Sequence, residues 1–285
     1  MKRIVNVFFA VILAAALLTG CGAQEEPSME GEQLDTKLSL EENFDTFPQY
    51  ADEETLLLSL EKNIKVNVGP ASKTKGFFKY DLKSDTLEQV IPLDLNAQIR
   101  SAVPFGDAVL YVDYAEKDES LEWTVVHFEN GVKQDLRSGT CAGYEDLPEL
   151  SVLEGSPVIL WKDSKKETFG LEIFDGADLS EIELPKDQNL VSTDSACNTK
   201  EICFLTKNDA GDARFLIVGK NGEIGSVTLD GRITSFGLTK DALVCGLGDE
   251  EQTGEFSLMV YNFRSKEKKV TAVKGPLYRM TDSKT

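Results

Sequence analysis

Five turn signals recur along this chain at nearly constant intervals, and each one separates two apolar runs. The steps between successive turns are 46, 45, 46 and 44 residues. Asn130-Gly131 is the clearest signal, because both central positions of a type I′ hairpin turn need the positive φ angles that Asn and Gly adopt readily. Such regularity restricts the chain to folds built from successive copies of one antiparallel unit. The turns are Ser84-Asp85, Asn130-Gly131, Asp175-Gly176, Asn221-Gly222 and Ser265-Lys266.

Each turn is flanked by further β-type runs that predict four strands in every unit. The run directly before each turn covers residues 77–82, 123–128, 169–174, 215–218 and 256–261. A second run precedes that one, over residues 64–68, 109–114, 158–161, 202–205 and 243–247. A shorter run precedes the second, for example over residues 101–105 and 151–153.

Four strands in every 45 residues is the period of a β-propeller blade, and the pattern over about 55–281 resembles propeller repeats. The resemblance implies an all-β fold of five blades. Six blades, a β-sandwich pair and an open β-meander stay as alternatives, since no Trp-Asp or double-glycine signature names a subfamily. A strand at 277–280 would either close the ring or join a sixth blade completed by residues near 34–50.

The N-terminus carries an export signal. Basic residues open the chain, residues 4–18 hold no charge, and Leu18-Thr19-Gly20-Cys21 ends the apolar run. This segment closely resembles the lipobox of bacterial lipoproteins, which implies acylation of the Cys21 thiol and cleavage before it. The expected partner of Cys21 is therefore a lipid bilayer, with the remaining chain on the extracytoplasmic side. Residues 1–20 are predicted to be the signal peptide.

Residues 21–54 are predicted to be a flexible acidic tether, followed by the β domain over 55–285. Acidic residues outnumber basic ones by 11 to 1 between 22 and 54. Such a segment cannot bury enough apolar area to offset its ordering entropy. Phe44, Phe47 and Tyr50 are exceptions, which we expect to dock on the edge of the domain.

Charge and cysteine usage exclude several functions. The formal charge is −19, and removal of Lys2 and Arg3 with the signal segment makes it −21. Nucleic acid is not an expected partner, because its binding depends on Lys and Arg. A zinc site is not expected with one histidine, His127, and no cofactor is predicted.

The remaining cysteines are assigned by their neighbours in the sequence. Cys203 and Cys245 lie in apolar runs and are predicted to be core residues. Cys141 is placed in a loop that connects two blades. Cys197 is placed between a first and a second strand, on the opposite face, so that the two should not form a disulfide.

Catalytic motifs are not found in this sequence. Gly-x-Ser-x-Gly and phosphate-binding glycine loops are absent, and His127 lies in the middle of a predicted strand. A glycosidase-like enzyme with two channel carboxylates is the alternative function. Asp113, Glu122 and Asp163 are its nominal candidates.

The preferred interpretation is a noncatalytic binding module for an unknown envelope protein or glycan. In a propeller, the loops between second and third strands share one face with the connections between blades. Loops on a rigid scaffold commonly bind partners. The residues predicted to form this binding rim are Glu116, Asp118, Glu119, Tyr144, Asp146, Asp249 and Glu250.

Overall fold

A computed structural model describes residues 44–64, 71–92, 95–228, 232–248 and 256–273. The described residues form five four-stranded antiparallel sheets. The first sheet holds β1 (Phe44–Ala51), β2 (Thr55–Ile64), β3 (Ala71–Asp81) and β4 (Thr86–Ile91). The second holds β5 (Ile99–Phe105), β6 (Ala108–Lys117), β7 (Ser120–Glu129) and β8 (Val132–Cys141).

The other three sheets repeat the same plan. The third holds β9 (Glu149–Leu153), β10 (Ser156–Asp163), β11 (Thr168–Phe174) and β12 (Leu179–Ile182). The fourth holds β13 (Gln188–Cys197), β14 (Glu201–Asn208), β15 (Ala213–Gly219) and β16 (Gly222–Thr228). The fifth holds β17 (Arg232–Leu238), β18 (Ala242–Gly248), β19 (Phe256–Asn262) and β20 (Lys268–Val273).

The sheets are the blades of a β-propeller, as the sequence predicts. Within each blade, consecutive strands are neighbours. The first strands of successive blades also contact one another, from β1 to β5, β9, β13 and β17. First strands are therefore innermost. We call the face that carries the second-to-third loops and the blade connections the upper face, and the opposite one the lower face.

The predicted turns between third and fourth strands are confirmed. The turn of the second blade has φ angles of 51° at Asn130 and 80° at Gly131, the left-handed pair that a type I′ turn requires. His127 is buried in β7, with its ring centroid 5.1 Å from that of Phe174. Within the described residues, no helix is long and apolar enough to cross a bilayer.

The first blade corrects two predictions. Its second strand is β2, over Thr55–Ile64, rather than residues 64–68. Its first strand is β1, over Phe44–Ala51, so the blade begins within the segment predicted as tether and residues 44–50 do not complete a sixth blade. Pro48 hid this strand, because proline is normally confined to strand edges and bulges, and a register shift follows it. Residues 34–43 and 277–280 lie outside the described residues.

Apolar side chains between adjacent blades form the core. Neighbouring residues on a strand enter different clusters: Val109 and Tyr111 pack toward the first blade, while Leu110 and Val112 pack toward the third. Corresponding clusters join the third blade to the fourth and the fourth to the fifth. Because successive side chains of a strand point to opposite faces of the sheet, one strand contributes to the cores on both sides of its blade.

The cysteines occupy both core and surface positions. Cys203 and Cys245 are buried in the cluster between the last two blades, as predicted. Cys141 is the last residue of β8 and is buried, rather than lying in a loop, and burial raises the pKa of its thiol to about 11. Cys197 ends β13 at the lower face, opposite Cys141, as the predicted separation of these two residues requires.

A glycine on the adjacent strand makes room for a tryptophan in the third blade. A Cβ atom added to Gly170 would lie 2.7 Å from Trp161 Cζ2. On the other side of the ring, Arg137 Cζ from the second blade lies 3.7 Å from the ring centroid. Trp161 is therefore held between its own blade and the neighbouring one.

Gly170→Ala is expected to lower the free energy of unfolding by about 1–3 kcal/mol, because the tryptophan must move out of a well-packed position. Urea denaturation followed by tryptophan fluorescence measures this change. Gly225→Ala is the matched control, since a Cβ atom there meets nothing within 4 Å. Equal stability of the two variants would contradict the packing described.

Candidate functional site

The predicted rim residues fall into three groups. Glu116 lies near the end of β6, and Asp118 and Glu119 form the tip of the β6–β7 hairpin. All three residues are exposed on the upper face. Tyr144 and Asp146 lie in a 3₁₀ turn, Tyr144–Asp146, between the second and third blades. Asp249 and Glu250 lie outside the described residues.

The 3₁₀ turn is firmly attached to two other blades. Thr193 Oγ1, on β13, lies 2.9 Å from the carbonyl oxygen of Glu145 and 2.5 Å from that of Leu147, and its single hydroxyl proton is shared between them. Lys162 Nζ, at the end of β10, lies 2.8 Å from Asp146 Oδ1. The turn therefore holds Tyr144 in a fixed position, although 48% of that residue is exposed.

Asp146 differs from its predicted role. Only 8% of this residue is exposed, and its carboxylate pairs with Lys162. The polar sequence around Asp146 predicted a solvent-exposed loop. Instead, its carboxylate contacts Lys162 at the end of β10. Asp146 therefore positions the turn, and Tyr144 is the residue that the turn presents.

Arg100 is the central residue of the upper face, and the sequence analysis missed it. Its Nη2 lies 3.4 Å from Glu149 Oε2 and 3.5 Å from Asp194 Oδ1. Its Cζ lies 4.7 Å from the ring centroid of Tyr144. Burial lowers the pKa of Arg100, but the Glu149 carboxylate and other neighbours raise it overall. These contacts tie together the first strands of three blades.

Tyr114 extends this cluster toward the acidic hairpin. The rings of Tyr114 and Tyr144 meet edge to face with centroids 5.8 Å apart. Burial, and then the neighbouring Tyr144, raise the pKa of Tyr114 to about 12, so its hydroxyl is neutral at physiological pH. We call Arg100, Tyr114, Tyr144, Glu149 and Asp194 the upper-face cluster. It offers an aromatic surface beside charged groups.

The nominal catalytic carboxylates do not form one site. Glu122 Oε1 pairs with Lys117 Nζ at 2.8 Å on the β6–β7 hairpin. Asp163 Oδ1 accepts the backbone N–H groups of Lys165 and Lys166, and so fixes the β10–β11 turn. Asp113 lies on the side of β6 that packs toward the first blade, where burial raises its pKa.

The described residues also provide no obvious metal site. No group of three or more His, Cys, Asp or Glu side chains among them is arranged to hold a metal ion. The chemistry that the upper-face cluster does offer is hydrogen bonding, stacking and charge.

Comparison with known proteins supports the fold. No protein-family model and no curated protein matches the chain. Puromycin hydrolase is 10% identical, with a TM-score of 0.50 over 81% of this chain and 36% of that one. TolB from Acinetobacter baumannii is 12% identical, with a TM-score of 0.43 over 83% of this chain and 56% of that one.

An uncharacterized protein from Listeria monocytogenes EGD-e is 10% identical, with a TM-score of 0.38 over 84% of each chain. This chain thus spans about a third of puromycin hydrolase and about half of TolB. At such identities the likeness concerns the β-propeller fold alone.

Asp146→Ala is expected to lower the free energy of unfolding by about 1–3 kcal/mol, because it leaves Lys162 without its partner in a largely buried position. The effect stays moderate because the side chain of Lys162 is 29% exposed. Urea denaturation measures it. Glu119→Ala removes an exposed carboxylate and should change stability by less than about 0.5 kcal/mol. A neutral effect of Asp146→Ala would return Asp146 to the candidate binding residues.

Proposed function

We propose that this protein is a lipid-anchored β-propeller of the cell envelope that binds a partner protein or glycan on its upper face without catalysing a reaction. The observation that carries the proposal is Tyr144, an exposed aromatic ring on a turn that two other blades hold in place. Preorganised side chains bind well because little conformational entropy is lost on binding.

The composition of the upper-face cluster supports recognition. Tyrosine and arginine are among the residues that contribute most binding energy in protein interfaces. Tyr144 and Tyr114 provide apolar ring surface with polar tips, and Arg100 stacks beside them. Rings of this kind also pack well against the apolar faces of sugars. The hydroxyl groups of a sugar can donate hydrogen bonds to the nearby carboxylates.

The charge of the surrounding surface favours a basic or hydroxyl-rich partner. The exposed hairpin with Glu116, Asp118 and Glu119 lies on the same face as the cluster. Complementary charge increases association rates and disfavours acidic competitors. An acidic hairpin on the same face as an aromatic cluster therefore predicts selectivity for such a partner, with binding that weakens at high salt.

A glycosidase-like enzyme is the second candidate, and one observation favours it. The carboxylates of Glu149 and Asp194 both lie within 3.5 Å of Arg100, beside two tyrosine rings. Glycosidases commonly use two carboxylates at one site. Against this candidate, both carboxylates lie against the same guanidinium group of Arg100, whereas the two carboxyl groups of a glycosidase flank the bond that is cleaved.

The membrane anchor is tested by Cys21→Ala. Because a lipobox cysteine carries the acyl chains, we expect this variant to leave the membrane fraction and to lack the added acyl mass. Fractionation of cells and mass spectrometry of the N-terminal peptide provide the two measurements. Cys197→Ala is the control and should stay in the membrane. Unchanged membrane attachment of Cys21→Ala would overturn the anchor.

The binding face is tested by site-specific photocrosslinking in intact cells. A photoreactive residue at Glu119 should capture one partner, and Tyr144→Ala should reduce that product about tenfold or more. Tyr80→Ala is the matched control, because Tyr80 hydrogen-bonds Asp85 beside a turn on the lower face. A photoreactive residue at Asp178, also on the lower face, should not capture the same partner.

Two results would contradict this proposal. One is a captured product that Tyr144→Ala and Tyr80→Ala reduce equally. The other is hydrolysis of a polysaccharide that Glu149→Gln abolishes, which would favour the enzyme. Glycan binding is distinguished from protein binding by retention of the protein on isolated envelope polysaccharide.

A further inference from the structure

A cavity of about 230 Å³ lies at the upper face between the third and fourth blades. The end of β10 and the β10–β11 hairpin form one wall, and the start of β13 forms the other. Pockets for drug-sized molecules usually span about 300–1,000 Å³. This cavity therefore suits one compact unit, such as a single ring of a larger partner.

Hydrogen bonds hold both walls of this cavity in place. Ser164 N donates to the carbonyl oxygen of Thr140 at 3.0 Å, which attaches the β10–β11 hairpin to the last strand of the second blade. Gln188 Oε1 accepts hydrogen bonds from Thr206 Oγ1 at 3.0 Å and from Arg214 Nε at 2.8 Å, which fixes the start of β13. The cavity is therefore preformed, and a ligand that enters it loses little affinity to ordering of the walls.

An aromatic ring contributes to the lining. Phe169 is only half-buried, so part of its side chain is accessible from the cavity. Its remaining surface packs against the core cluster between the third and fourth blades, which holds the ring in position. Leu190, at the start of β13, adds apolar surface from the fourth blade. A ligand with a flat apolar face can pack on this part of the lining.

Polar groups that solvent can reach lie beside this apolar surface. Ser164 is half-buried, and Thr168 and Asn189 are exposed. A hydroxyl group both donates and accepts hydrogen bonds, and so does a carboxamide. Asn189 Nδ2 makes one long hydrogen bond, of 3.4 Å, to Asp209 Oδ1, which uses one of its two donors. A ligand therefore meets accessible donors and acceptors of both kinds.

The charges of the lining compensate one another. Lys162 and Glu167 are the charged residues among the described lining residues. Lys162 Nζ lies 2.8 Å from Asp146 Oδ1, so its charge is already paired, although two of its three N–H donors stay available for a ligand. Glu167 is exposed to solvent. The lining therefore selects hydrogen-bonding groups rather than a net charge, and a neutral molecule with several hydroxyl groups meets this requirement.

The 3₁₀ turn connects this cavity to Tyr144. Lys162 lines the cavity and pairs with Asp146, which lies two residues after Tyr144 in the same turn. The upper face thus carries two accessible aromatic rings, those of Tyr144 and Phe169, near one short turn. A partner built from repeated units can contact both rings at once and gains affinity from the second contact.

We infer that this cavity binds one pyranose unit of a neutral glycan, and that an adjoining unit of the same glycan contacts Tyr144. The apolar C–H face of the sugar ring packs on Phe169, and its hydroxyl groups exchange hydrogen bonds with Ser164 and Asn189. The inference rests on the binding role proposed for the upper face, and it names a glycan rather than a protein as the partner.

Ser164→Trp should fill the cavity without loss of the bond that holds the hairpin, because Ser164 reaches Thr140 through its backbone. Lys165→Trp is the matched control. Lys165 is the next residue of the same hairpin, is exposed, is not among the described lining residues and bonds Asp163 through its backbone. Thermal unfolding of both variants establishes that they are folded.

The probes are the methyl glycosides of glucose, galactose, mannose and N-acetylglucosamine. Saturation-transfer NMR with the full-length protein should detect at least one of them at millimolar concentration. Ser164→Trp should abolish that signal, whereas Lys165→Trp should keep it. Phe169→Leu keeps an apolar residue but removes the ring, and should weaken binding about threefold to tenfold. Glucuronate and glucosamine should bind no better than glucose, because the charges of the lining compensate one another.

The connection to Tyr144 is measured by retention of the protein on isolated envelope polysaccharide. Ser164→Trp and Tyr144→Ala should each reduce retention, whereas Lys165→Trp should not. The inference would be overturned if none of the four glycosides bound the folded wild-type protein, or if one bound wild type and folded Ser164→Trp equally. Preference for a charged sugar would do the same. Capture of a protein that depends on Tyr144, without glycoside binding, would overturn this inference but leave the binding role of the upper face intact.

Discussion

Packing of blade against blade is the interaction on which the rest of this structure depends. A four-stranded sheet of this kind has two apolar faces and can bury neither alone. All five residues from Ala108 to Val112 are buried, with alternate side chains turned toward the first and third blades. Each of the three middle blades therefore packs against both of its neighbours, and the blades stabilise one another. The central strands consequently appear as continuous apolar runs rather than alternating ones.

This packing also determines where functional residues can meet. Because first strands are innermost and run in the same direction, corresponding positions in successive blades converge on the channel. Arg100, Glu149 and Asp194 are 49 and 45 residues apart, about one repeat each, and they meet near its upper end. A register shift in β13 between Leu190 and Ser195 adds Thr193 to the same region. Residues that are about one repeat apart in the sequence are therefore close together in space.

Local patterns in the sequence predicted most strands, because turn residues and apolar runs are local consequences of backbone geometry. The first blade was harder, since the aromatic residues of β1 are three positions apart rather than alternating and the strand contains Pro48. The candidate site was harder still. Arg100 has no sequence motif around it. Only an alignment of the repeats would have shown that it occupies nearly the same position in its blade as Glu149 does in the next one. Asp146 looked like an exposed loop residue because the sequence does not reveal that Lys162 folds against it.

The corrected start of the fold changes how the proposed anchor relates to the proposed binding face. β1 ends at Ala51 beside the lower-face turn to β2, so its first residue, Phe44, is at the upper face. The first described residue of the domain is therefore on the face that carries Tyr144. Fully extended, the segment between Cys21 and Phe44 spans at most about 80 Å, about 40 Å less than a boundary at residue 55 would allow. An anchored upper face can reach only partners within this distance of the membrane. A basic or hydroxyl-rich partner in that layer would meet the acidic hairpin at a high local concentration, because tethering to one surface makes a modest affinity sufficient.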